Sequence, residues 1–477
     1  MIALSIKTIA EATKGRIIRG SEDITVEGIS TDTRTISPND AFFALIGDTF
    51  NAHDMVCDLD ASKCRLVVVS DENCIDDSFD CAAILVEDTL TAYQDLAGYY
   101  KKMINPITIG VTGSVGKTTL KDMLKHIASK KYKTVATEGN YNNEVGVPKT
   151  IFHLEEDTEV LILEMGMDHE GELRRLAEIA EPTIAAITNI GLAHRENFDT
   201  DEGIYNAKME IVSFFGKGNY LVINADDRKL RHAPTDNLYT TITVGECSCR
   251  DYVVSDIKYV GDNNLSFYVS NNAESVNYTL PVAGSFNAVA AGMASAILSI
   301  IGIHLDFSAH ALSDLERTPH RLQLIKLDGY KIIDDVYNAS PDSMKSALEY
   351  LMKIPGGRKI AVLAGMNELG ADSTNLHREI GAIAVNMGVD IVISVGEKAR
   401  DIAEGAVRAE GNQRSNSPDS QSLSSAEKLR ILSFRNNEDA SSYISLHRKK
   451  DDVYLVKGSR TMKTEEIVRS LIGEMDD

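Results

Sequence analysis

The most informative part of this chain reads Ile107-Thr108-Ile109-Gly110-Val111-Thr112-Gly113-Ser114-Val115-Gly116-Lys117-Thr118-Thr119 and continues as Leu120-Lys121-Asp122-Met123-Leu124. The apolar residues up to Val111 predict a β-strand, the glycines predict a tight turn, and the residues after Lys117 predict the start of a helix. The backbone N–H groups of such a turn and the positive end of the helix face phosphate oxygens. The segment therefore predicts a cradle for the phosphates of ATP or GTP, although the leading glycine of the general pattern falls at Val111.

Within this cradle the lysine reaches the β- and γ-phosphates, and the hydroxyl that follows it can ligate Mg²⁺. We therefore expect Lys117 to act on the phosphates and Thr118 to hold the metal ion. The nucleotide-binding residues predicted from this segment are Gly113, Ser114, Val115, Gly116, Lys117, Thr118 and Thr119.

Length and composition limit the classes of protein that fit the chain. Its 477 residues are too many for one hydrophobic core and predict roughly three domains of about 150 residues each. With 49 basic and 71 acidic residues the formal charge is −22, which disfavours nucleic acid as a partner. The six cysteines form no C-x-x-C pair, so neither a zinc ribbon nor a redox motif is indicated. The start resembles no signal peptide and no apolar run approaches the roughly 18 residues needed to cross a bilayer, so we expect a cytoplasmic protein without membrane insertion.

Three compositional regions predict an α/β protein of three domains. Residues 1–86 mix short strands and turns and predict a small α/β domain. Residues 87–316 alternate short apolar runs with helical stretches, which is typical of a mostly parallel sheet covered on both faces. Residues 317–477 repeat this alternation, so a second α/β domain that resembles a Rossmann fold is expected, with a polar surface insertion at about 411–424.

Several polar residues follow the predicted strands of the middle region. Glu164 ends a very apolar strand, so its carboxylate must be exposed in a cleft, paired or bound to metal. His194 follows another strand, and both a structural role and a metal or phosphate role remain open for it. Because ligands bind beyond the carboxyl ends of parallel strands, these residues and Lys117 are expected to share one cleft. Lys208, in a helical pattern, is by spacing alone a solvated lysine.

The chain resembles the Mur ligases, which are ATP-dependent enzymes that add amino acids to a UDP-linked muropeptide. The resemblance extends over nearly the whole chain and rests on ordered motifs rather than on a single match. The motifs are Asp32-Thr33-Arg34, Phe42-Phe43-Ala44-Leu45, residues 113–119, Gly139-Asn140-Tyr141-Asn142-Asn143-Glu144-Val145-Gly146-Val147-Pro148, Glu164-Met165-Gly166, residues 189–194, Ala207-Lys208-Met209-Glu210-Ile211, residues 334–343, Glu368-Leu369-Gly370 and Lys457-Gly458-Ser459-Arg460.

The resemblance implies three domains: an N-terminal domain for the UDP-substrate, a central ATPase domain and a C-terminal domain that closes over the site. It implies an ADP-forming ligase that joins D-alanyl-D-alanine to a UDP-N-acetylmuramoyl tripeptide through an acyl phosphate, in the synthesis of peptidoglycan precursors. The expected cofactors are ATP and two Mg²⁺ ions, and the expected state is a monomer.

The resemblance also assigns roles to individual residues. Lys117, His194 and Lys208 are implied as catalytic, and Lys208 matches a family lysine that is carbamylated by CO₂. The implied metal ligands are Thr118, Glu164, His194 and the carbamate of Lys208. Contacts to ATP are implied for Asn287 near the base, Arg321 near the phosphates and Asp335 near the ribose. The residues implied at the muropeptide substrate are Thr33, Arg34, Asn142, Asn143, Asn338, Lys457, Ser459 and Arg460.

The chain departs from the family pattern at several positions, and three alternative functions remain open. Phe286 stands where the family usually has a histidine, Gly365 where it has an aspartate, and Asn51 where it has an acidic residue before Gly-His. The first alternative is a related ligase that adds a different amino acid or dipeptide, of the pseudomurein or polyglutamate type. The second is a regulatory or motor P-loop protein, although no Asn-Lys-x-Asp motif is present. The third is a non-catalytic binding subunit with a Mur-like fold.

Overall fold

The computed structural model describes residues 1–47, 49–59, 62–76, 79–191, 195–198, 200–233, 238–261, 264–282, 284–316, 319–416 and 429–473. Within these ranges the strands form three large sheets and one small two-stranded sheet. Each large sheet is built from a separate part of the chain, so the predicted three-domain α/β architecture is confirmed.

The first part of the chain forms a five-stranded sheet with the order β2-β7-β6-β5-β4, in which only β2 runs antiparallel. The strand β6 is completely buried, as its four consecutive apolar residues predict. A separate pair, β1 and β3, is antiparallel. The elements are β1 (Leu4–Ser5), α1 (Ile6–Thr13), β2 (Arg16–Arg19), β3 (Thr25–Val26), β4 (Gly28–Ser30), β5 (Asp40–Phe43), β6 (Leu66–Val69) and β7 (Ala82–Leu85), with 3₁₀ helices at Ala52–Asp58 and Glu72–Cys74.

The central part forms a nine-stranded sheet with the order β16-β15-β14-β13-β12-β11-β8-β10-β9. Strands β8 to β14 are parallel, and β15 and β16 extend the sheet as an antiparallel hairpin. The elements are α2 (Thr89–Ile104), β8 (Ile107–Thr112), α3 (Lys117–Ala128), β9 (Thr134–Ala136), α4 (Gly146–Ile151), β10 (Val160–Glu164), α5 (Glu172–Ala180), β11 (Ile184–Ile187), α6 (Asp201–Met209), β12 (Tyr220–Asn224), β13 (Thr240–Gly245), β14 (Tyr252–Val260), β15 (Asn264–Ser270), β16 (Ser275–Leu280), α7 (Phe286–Ile300) and α8 (Leu305–Leu312).

The last part forms a six-stranded sheet with the order β17-β18-β22-β19-β20-β21, parallel except for β17. Helix α9 starts with a capping box between Ser340 and Ser343, with Pro341 in its first turn. The elements are β17 (Gln323–Leu327), β18 (Tyr330–Asp335), α9 (Pro341–Lys353), β19 (Lys359–Ala364), α10 (Ser373–Asn386), β20 (Ile391–Val395), α11 (Arg400–Asn416), β21 (Arg430–Phe434), α12 (Asn437–His447), β22 (Asp452–Lys457) and α13 (Glu465–Ile472).

The polar insertion expected at 411–424 is only partly an insertion. Helix α11 continues to Asn416, so residues 411–416 are helical although their sequence has no apolar periodicity. Residues 417–424 lie outside the described part of the chain.

The N-terminal and central domains share one hydrophobic core. Helix α2 lies between them, and the ring of Tyr93 packs against Phe43 of the first sheet and Phe152 of the central domain, with centroid distances of 5.4 and 5.3 Å. The hydroxyl of Tyr100 accepts a hydrogen bond from the Ile2 amide and donates one to the Leu154 carbonyl. The C-terminal domain has its own cores on the two faces of its sheet. The first two domains therefore form one packed unit, against which the third is placed.

None of the helices in the described ranges is long and apolar enough to cross a membrane.

Candidate functional site

A cleft of about 920 Å³ lies between the central and C-terminal domains. The carboxyl ends of β8 and β10 and the first turns of α3 and α7 line its central-domain side. The predicted site residues that line it are Ser114, Val115, Gly116, Lys117, Thr118, Thr119, Asn142, Asn143, Glu164, Asn287, Arg321, Asp335, Asn338, Lys457, Ser459 and Arg460.

The shape of the phosphate loop is set by close contacts between the backbone of the loop and the two residues that follow β11. Gly113 has a φ of 144°, and a Cβ atom at this position would lie 1.9 Å from Oγ1 of Thr188. The side-chain oxygen of Asn189 accepts hydrogen bonds from the amides of Ser114 and Val115, at 3.0 and 2.8 Å. Only glycine fits the first position, since a side chain would both clash and require an unfavourable backbone conformation. The neighbouring strand thus holds the loop in place.

Lys117 and Thr118 start helix α3 and point into the cleft. Nζ of Lys117 donates to the carbonyl of Gly113 at 2.7 Å, so the side chain folds back over the loop where phosphates would lie. Burial lowers the pKa of Lys117, and the nearby carboxylate of Glu164 partly offsets this effect. The hydroxyl of Thr118 accepts a hydrogen bond of 3.1 Å from the Arg321 guanidinium, which comes from the start of the C-terminal domain. This contact spans the cleft.

Glu164 is almost completely buried at the end of β10, with 4% of its surface exposed. Its Oε1 accepts a hydrogen bond of 3.1 Å from Asn142, whereas Oε2 has no hydrogen-bond partner among the described residues. A buried carboxylate oxygen without a partner is costly unless a cation binds it, and hard cations such as Mg²⁺ prefer oxygen ligands. Glu164 therefore fits a metal ion in the cleft, together with the hydroxyl of Thr118.

Lys208 lies on α6 with 1% of its surface exposed, so it is not the solvated lysine that its spacing indicates. Burial lowers the pKa of its amine well below the ordinary value of 10.5; the charge of Lys117 adds to this effect, and Asp168 opposes it. Lys208 does not line the cleft, but the charge of the phosphate-loop lysine acts on it.

His194 lies outside the described residues. The chain that leads to it is fixed against the phosphate loop, because the Gly191 amide donates to Oγ of Ser114 at 2.8 Å. The amide of Ile190 donates to Asp227 at 3.0 Å.

On the C-terminal side of the cleft, two residues that were predicted to contact ligands form an ion pair with each other. Nζ of Lys457 donates to the Asp335 carboxylate at 2.6 Å and to the carbonyl of Asn338 at 2.9 Å. The Leu322 amide donates to the other oxygen of Asp335 at 3.2 Å. Both members of this ion pair are largely buried. The pair ties β18 to β22 and holds the cleft wall, in addition to any contact with a ligand.

The guanidinium groups of Arg321 and Arg460 both lie over the ring of Tyr337, with distances of 4.1 and 5.5 Å to its centroid. This tyrosine lines the cleft and supports two cations by cation–π contact. Ser459 accepts a hydrogen bond of 3.0 Å from the Asn367 amide, which fixes the loop that carries Arg460.

Asn287 and Asn143 line the cleft from other elements of the central domain, whereas Thr33 and Arg34 do not line it. Asn287 is buried in the first turn of α7 and follows Phe286, a residue that is 40% exposed. The side chain of Asn143 accepts hydrogen bonds from Val145 and Gly146 at the start of α4. Thr33 and Arg34 lie on the N-terminal domain, apart from the residues that line the cleft.

Arg34 donates two hydrogen bonds to the carboxylate of Asp32, at 2.9 and 2.7 Å. These bonds, with the charges of Arg34 and Lys149, lower the pKa of Asp32 to about 2.

No roles were predicted from the sequence for Tyr337, Asn189 and Asp168. Tyr337 and Asn189 lie inside motifs that were recognised, but only the fold shows that one supports two arginines and the other orders the phosphate loop. Asp168 follows Glu164-Met165-Gly166 at the cleft, where its negative charge acts on both Lys117 and Lys208. The sequence signal for this role is the position of Asp168, four residues after the predicted site residue Glu164.

Two family models match the chain. The Mur ligase middle domain matches residues 111–298, and the Mur ligase glutamate ligase domain matches residues 320–460.

Full-length relatives are similar throughout. The chain is 35% identical over 475 residues to the UDP-N-acetylmuramoyl-tripeptide–D-alanyl-D-alanine ligase of Bacillus subtilis (strain 168), with 99% of each chain covered. Its fold is similar to a crystal structure of MurF from Acinetobacter baumannii, with a TM-score of 0.88, 27% identity and 99% of each chain covered. It is also similar to the MurF ligase of Thermotoga maritima in complex with ADP, with a TM-score of 0.81, 25% identity and coverage of 94% and 98%.

Proposed function

Since this chain belongs to the Mur ligase family, we propose that it is the ATP-dependent ligase that joins D-alanyl-D-alanine to a UDP-N-acetylmuramoyl tripeptide in peptidoglycan precursor synthesis. The observation that carries this proposal is the meeting of a phosphate loop, a buried carboxylate and two supported arginines in one interdomain cleft. Similarity over 99% of both chains to a ligase of that name supports the choice of substrates.

The reaction has two steps. The terminal carboxylate of the tripeptide attacks the γ-phosphorus of ATP, which forms an acyl phosphate and releases ADP. The amine of D-alanyl-D-alanine then attacks the acyl carbon, an amide forms, and inorganic phosphate and a proton leave. Because both reactants of the first step are anionic, Lys117 and Arg321 lower the barrier by offsetting their repulsion and orienting the phosphoryl group. Closure of the C-terminal domain excludes water, which would hydrolyse the acyl phosphate.

Thr118 and Glu164 would hold Mg²⁺, and His194 with a carbamate on Lys208 would help to hold a second ion. When bound, these ions neutralise phosphate charge in the cleft. Oε2 of Glu164, which has no hydrogen-bond partner in the described part of the chain, supports this assignment.

The carbamate forms when the neutral amine of Lys208 attacks CO₂ and loses a proton. Its lowered pKa supports this step, because only an unprotonated amine is nucleophilic. Lys208→Ala should nearly abolish ligation, and a short carboxylic acid should partly restore it. Full activity of the variant without added acid would exclude the carbamate.

The other ligand contacts follow from position. Asn287 and Asp335 would contact the nucleoside of ATP, while Thr33 and Arg34 would contact the UDP part of the substrate. The residues proposed along the muramoyl peptide and dipeptide are Asn142, Asn143, Asn338, Lys457, Ser459 and Arg460.

Because one chain supplies the whole cleft, we propose that it acts as a monomer, in the cytoplasm where ATP and UDP-linked precursors are available.

The proposal is tested by ADP release with UDP-N-acetylmuramoyl tripeptide against a panel of amino acids and dipeptides. ADP release that depends on D-alanyl-D-alanine is expected. Dependence on another amine would identify a related ligase, and binding of the substrates without turnover would identify a non-catalytic subunit.

A further inference from the structure

Lys149 presents a positive charge at the boundary between the central and N-terminal domains. It lies on α4, it is exposed, and no carboxylate of the described residues lies within 4.0 Å of its Nζ atom. Many other lysines of this acidic chain pair with a carboxylate, for example Lys102 with Glu181 at 3.0 Å. The charge of Lys149 therefore remains available to an anionic ligand.

The position of Lys149 is fixed by Tyr141. Its Nζ lies 4.4 Å from the centroid of the Tyr141 ring and donates to the hydroxyl of that residue at 3.3 Å. The backbone of Tyr141 packs on Gly146 so closely that a Cβ atom there would lie 2.4 Å away. The loop that carries the tyrosine and the helix that carries the lysine are thus in direct contact, so little freedom is left between them.

This lysine lies between the two places where the substrate must bind. Tyr141 is flanked by Asn140 and Asn142, which line the catalytic cleft. On the other side, the charge of Lys149 acts on Asp32, in the loop of the N-terminal domain that carries Arg34. The shared core beneath α2 holds these two domains together, so the distance between Lys149 and this loop is set by the fold.

We propose that Lys149 binds the diphosphate of the UDP-linked substrate, as the central-domain partner of Arg34. This inference rests on the proposed function. A substrate that extends from the N-terminal domain to the cleft passes the boundary with its most negative group, and a protein of net charge −22 needs local cations there. Arg34 is suited to share this role, because its side chain is 85% exposed and Asp32 fixes its orientation.

The test compares Lys149→Gln with Lys149→Arg and with the control Lys102→Gln, which removes the same charge from an exposed lysine of α2. Lys149→Gln should raise KM for UDP-N-acetylmuramoyl tripeptide about tenfold and leave kcat and the KM values for ATP and D-alanyl-D-alanine within about twofold. The arginine variant should retain most of the affinity, and the control should behave as wild type.

Inhibition by UDP and by uridine then identifies the group that the lysine binds. UDP should inhibit the Lys149→Gln variant more weakly than wild type, whereas uridine should inhibit both equally. An unchanged KM, an equal rise of all three KM values, or equal inhibition by UDP would each overturn the proposal. If wild type itself does not turn over the UDP-linked substrate, the proposed function fails as well, whereas normal turnover with an unaffected variant refutes only the role of Lys149.

Discussion

Glu164 and Lys208 are both almost completely buried in the central domain, where an unpaired charge is costly. Oε2 of Glu164 has no hydrogen-bond partner among the described residues, so a bound cation would stabilise the carboxylate. Burial lowers the pKa of the Lys208 amine, so its neutral form is favoured over its charged form. These properties support the proposals that Glu164 binds a metal ion and that Lys208 reacts as a neutral nucleophile.

Glu164→Gln tests the metal site. The change keeps the size of the side chain and its contact with Asn142 but removes the charge. We expect ligation to fall by about two orders of magnitude and the Mg²⁺ concentration for half-maximal activity to rise. A Mg²⁺ titration of ADP release measures both effects. An unchanged Mg²⁺ requirement would exclude Glu164 as a ligand.

Lys208→Met tests the state of the buried amine through stability. Folding lowers the pKa of Lys208 from 10.5, so between the lowered value and 10.5 the unfolded state binds more protons than the folded state. Stability therefore rises with pH in this window, and the amine destabilises the fold most at pH values at and below the lowered pKa. We expect the variant to be inactive but more stable at pH 7, by about 1 to 3 kcal/mol.

The measurement is urea unfolding of both proteins in buffer depleted of CO₂, so that no carbamate forms. The difference in unfolding free energy should shrink as the pH approaches 10. A variant that is less stable than wild type at pH 7 would show that the amine is stabilised by its surroundings.

At the scale of elements, the turn between β8 and α3 depends on its first glycine. Gly113→Ala places a methyl group 1.9 Å from Oγ1 of Thr188 and requires a φ of 144°. We expect loss of ATP binding and a loss of about 2 to 4 kcal/mol in stability. Gly216→Ala is the matched control, because no atom of the residues that the structure describes lies within 4 Å of its added Cβ and its backbone is not left-handed. Calorimetric ATP titration of both variants measures the difference, and normal ATP affinity of Gly113→Ala would contradict the role of the turn.

The sequence predicted the buried parallel strands best. Strand β8 covers the apolar run that leads to Val111, and β10 ends at Glu164, as predicted, because strands covered on both faces consist of continuous apolar runs between polar residues. The hairpin of β15 and β16 was not predicted, since one of its faces is exposed and its residues alternate between polar and apolar. The helical residues 411–416 were missed because a polar sequence without periodicity does not distinguish a helix from a loop.

At the scale of the whole molecule, the packing predicts two cooperative units. The N-terminal and central domains share a core that contains Phe43, Tyr93 and Phe152, whereas the C-terminal domain has separate cores. We expect two transitions in scanning calorimetry of the apo protein. A single transition would show that the interdomain cleft couples all three domains.

Lys457→Met assigns these transitions. It leaves the buried carboxylate of Asp335 without its cation, which costs about 3 to 5 kcal/mol. Only the transition of the C-terminal domain should move, to a temperature lower by about 10 °C. Lys102→Gln, in the other unit, serves as a control that should move neither transition. Equal shifts of both transitions by Lys457→Met would contradict the assignment.

From the sequence, only those site residues that lie within recognisable motifs could be predicted. Thr118 and Glu164 meet in the cleft as expected, because both follow neighbouring parallel strands. The pairing of Asp335 with Lys457 joins residues 122 positions apart, and the burial of Lys208 depends on packing around α6, so neither could be read from spacing. The domain limits after residues 86 and 316 and the role of His194 stay predictions.

The N-terminal and central domains share a core beneath α2, so packing sets the distance between them. If the nucleotide end of the substrate is anchored on one domain and the phosphate loop belongs to the other, the gap that the peptide must bridge is constant. Each extended residue spans about 3.3 to 3.6 Å, so an acceptor shortened by one residue would leave its carboxylate that far from the γ-phosphate. Under the proposed function, the length of the acceptor as well as its chemistry would therefore select a precursor that carries all three residues of the tripeptide.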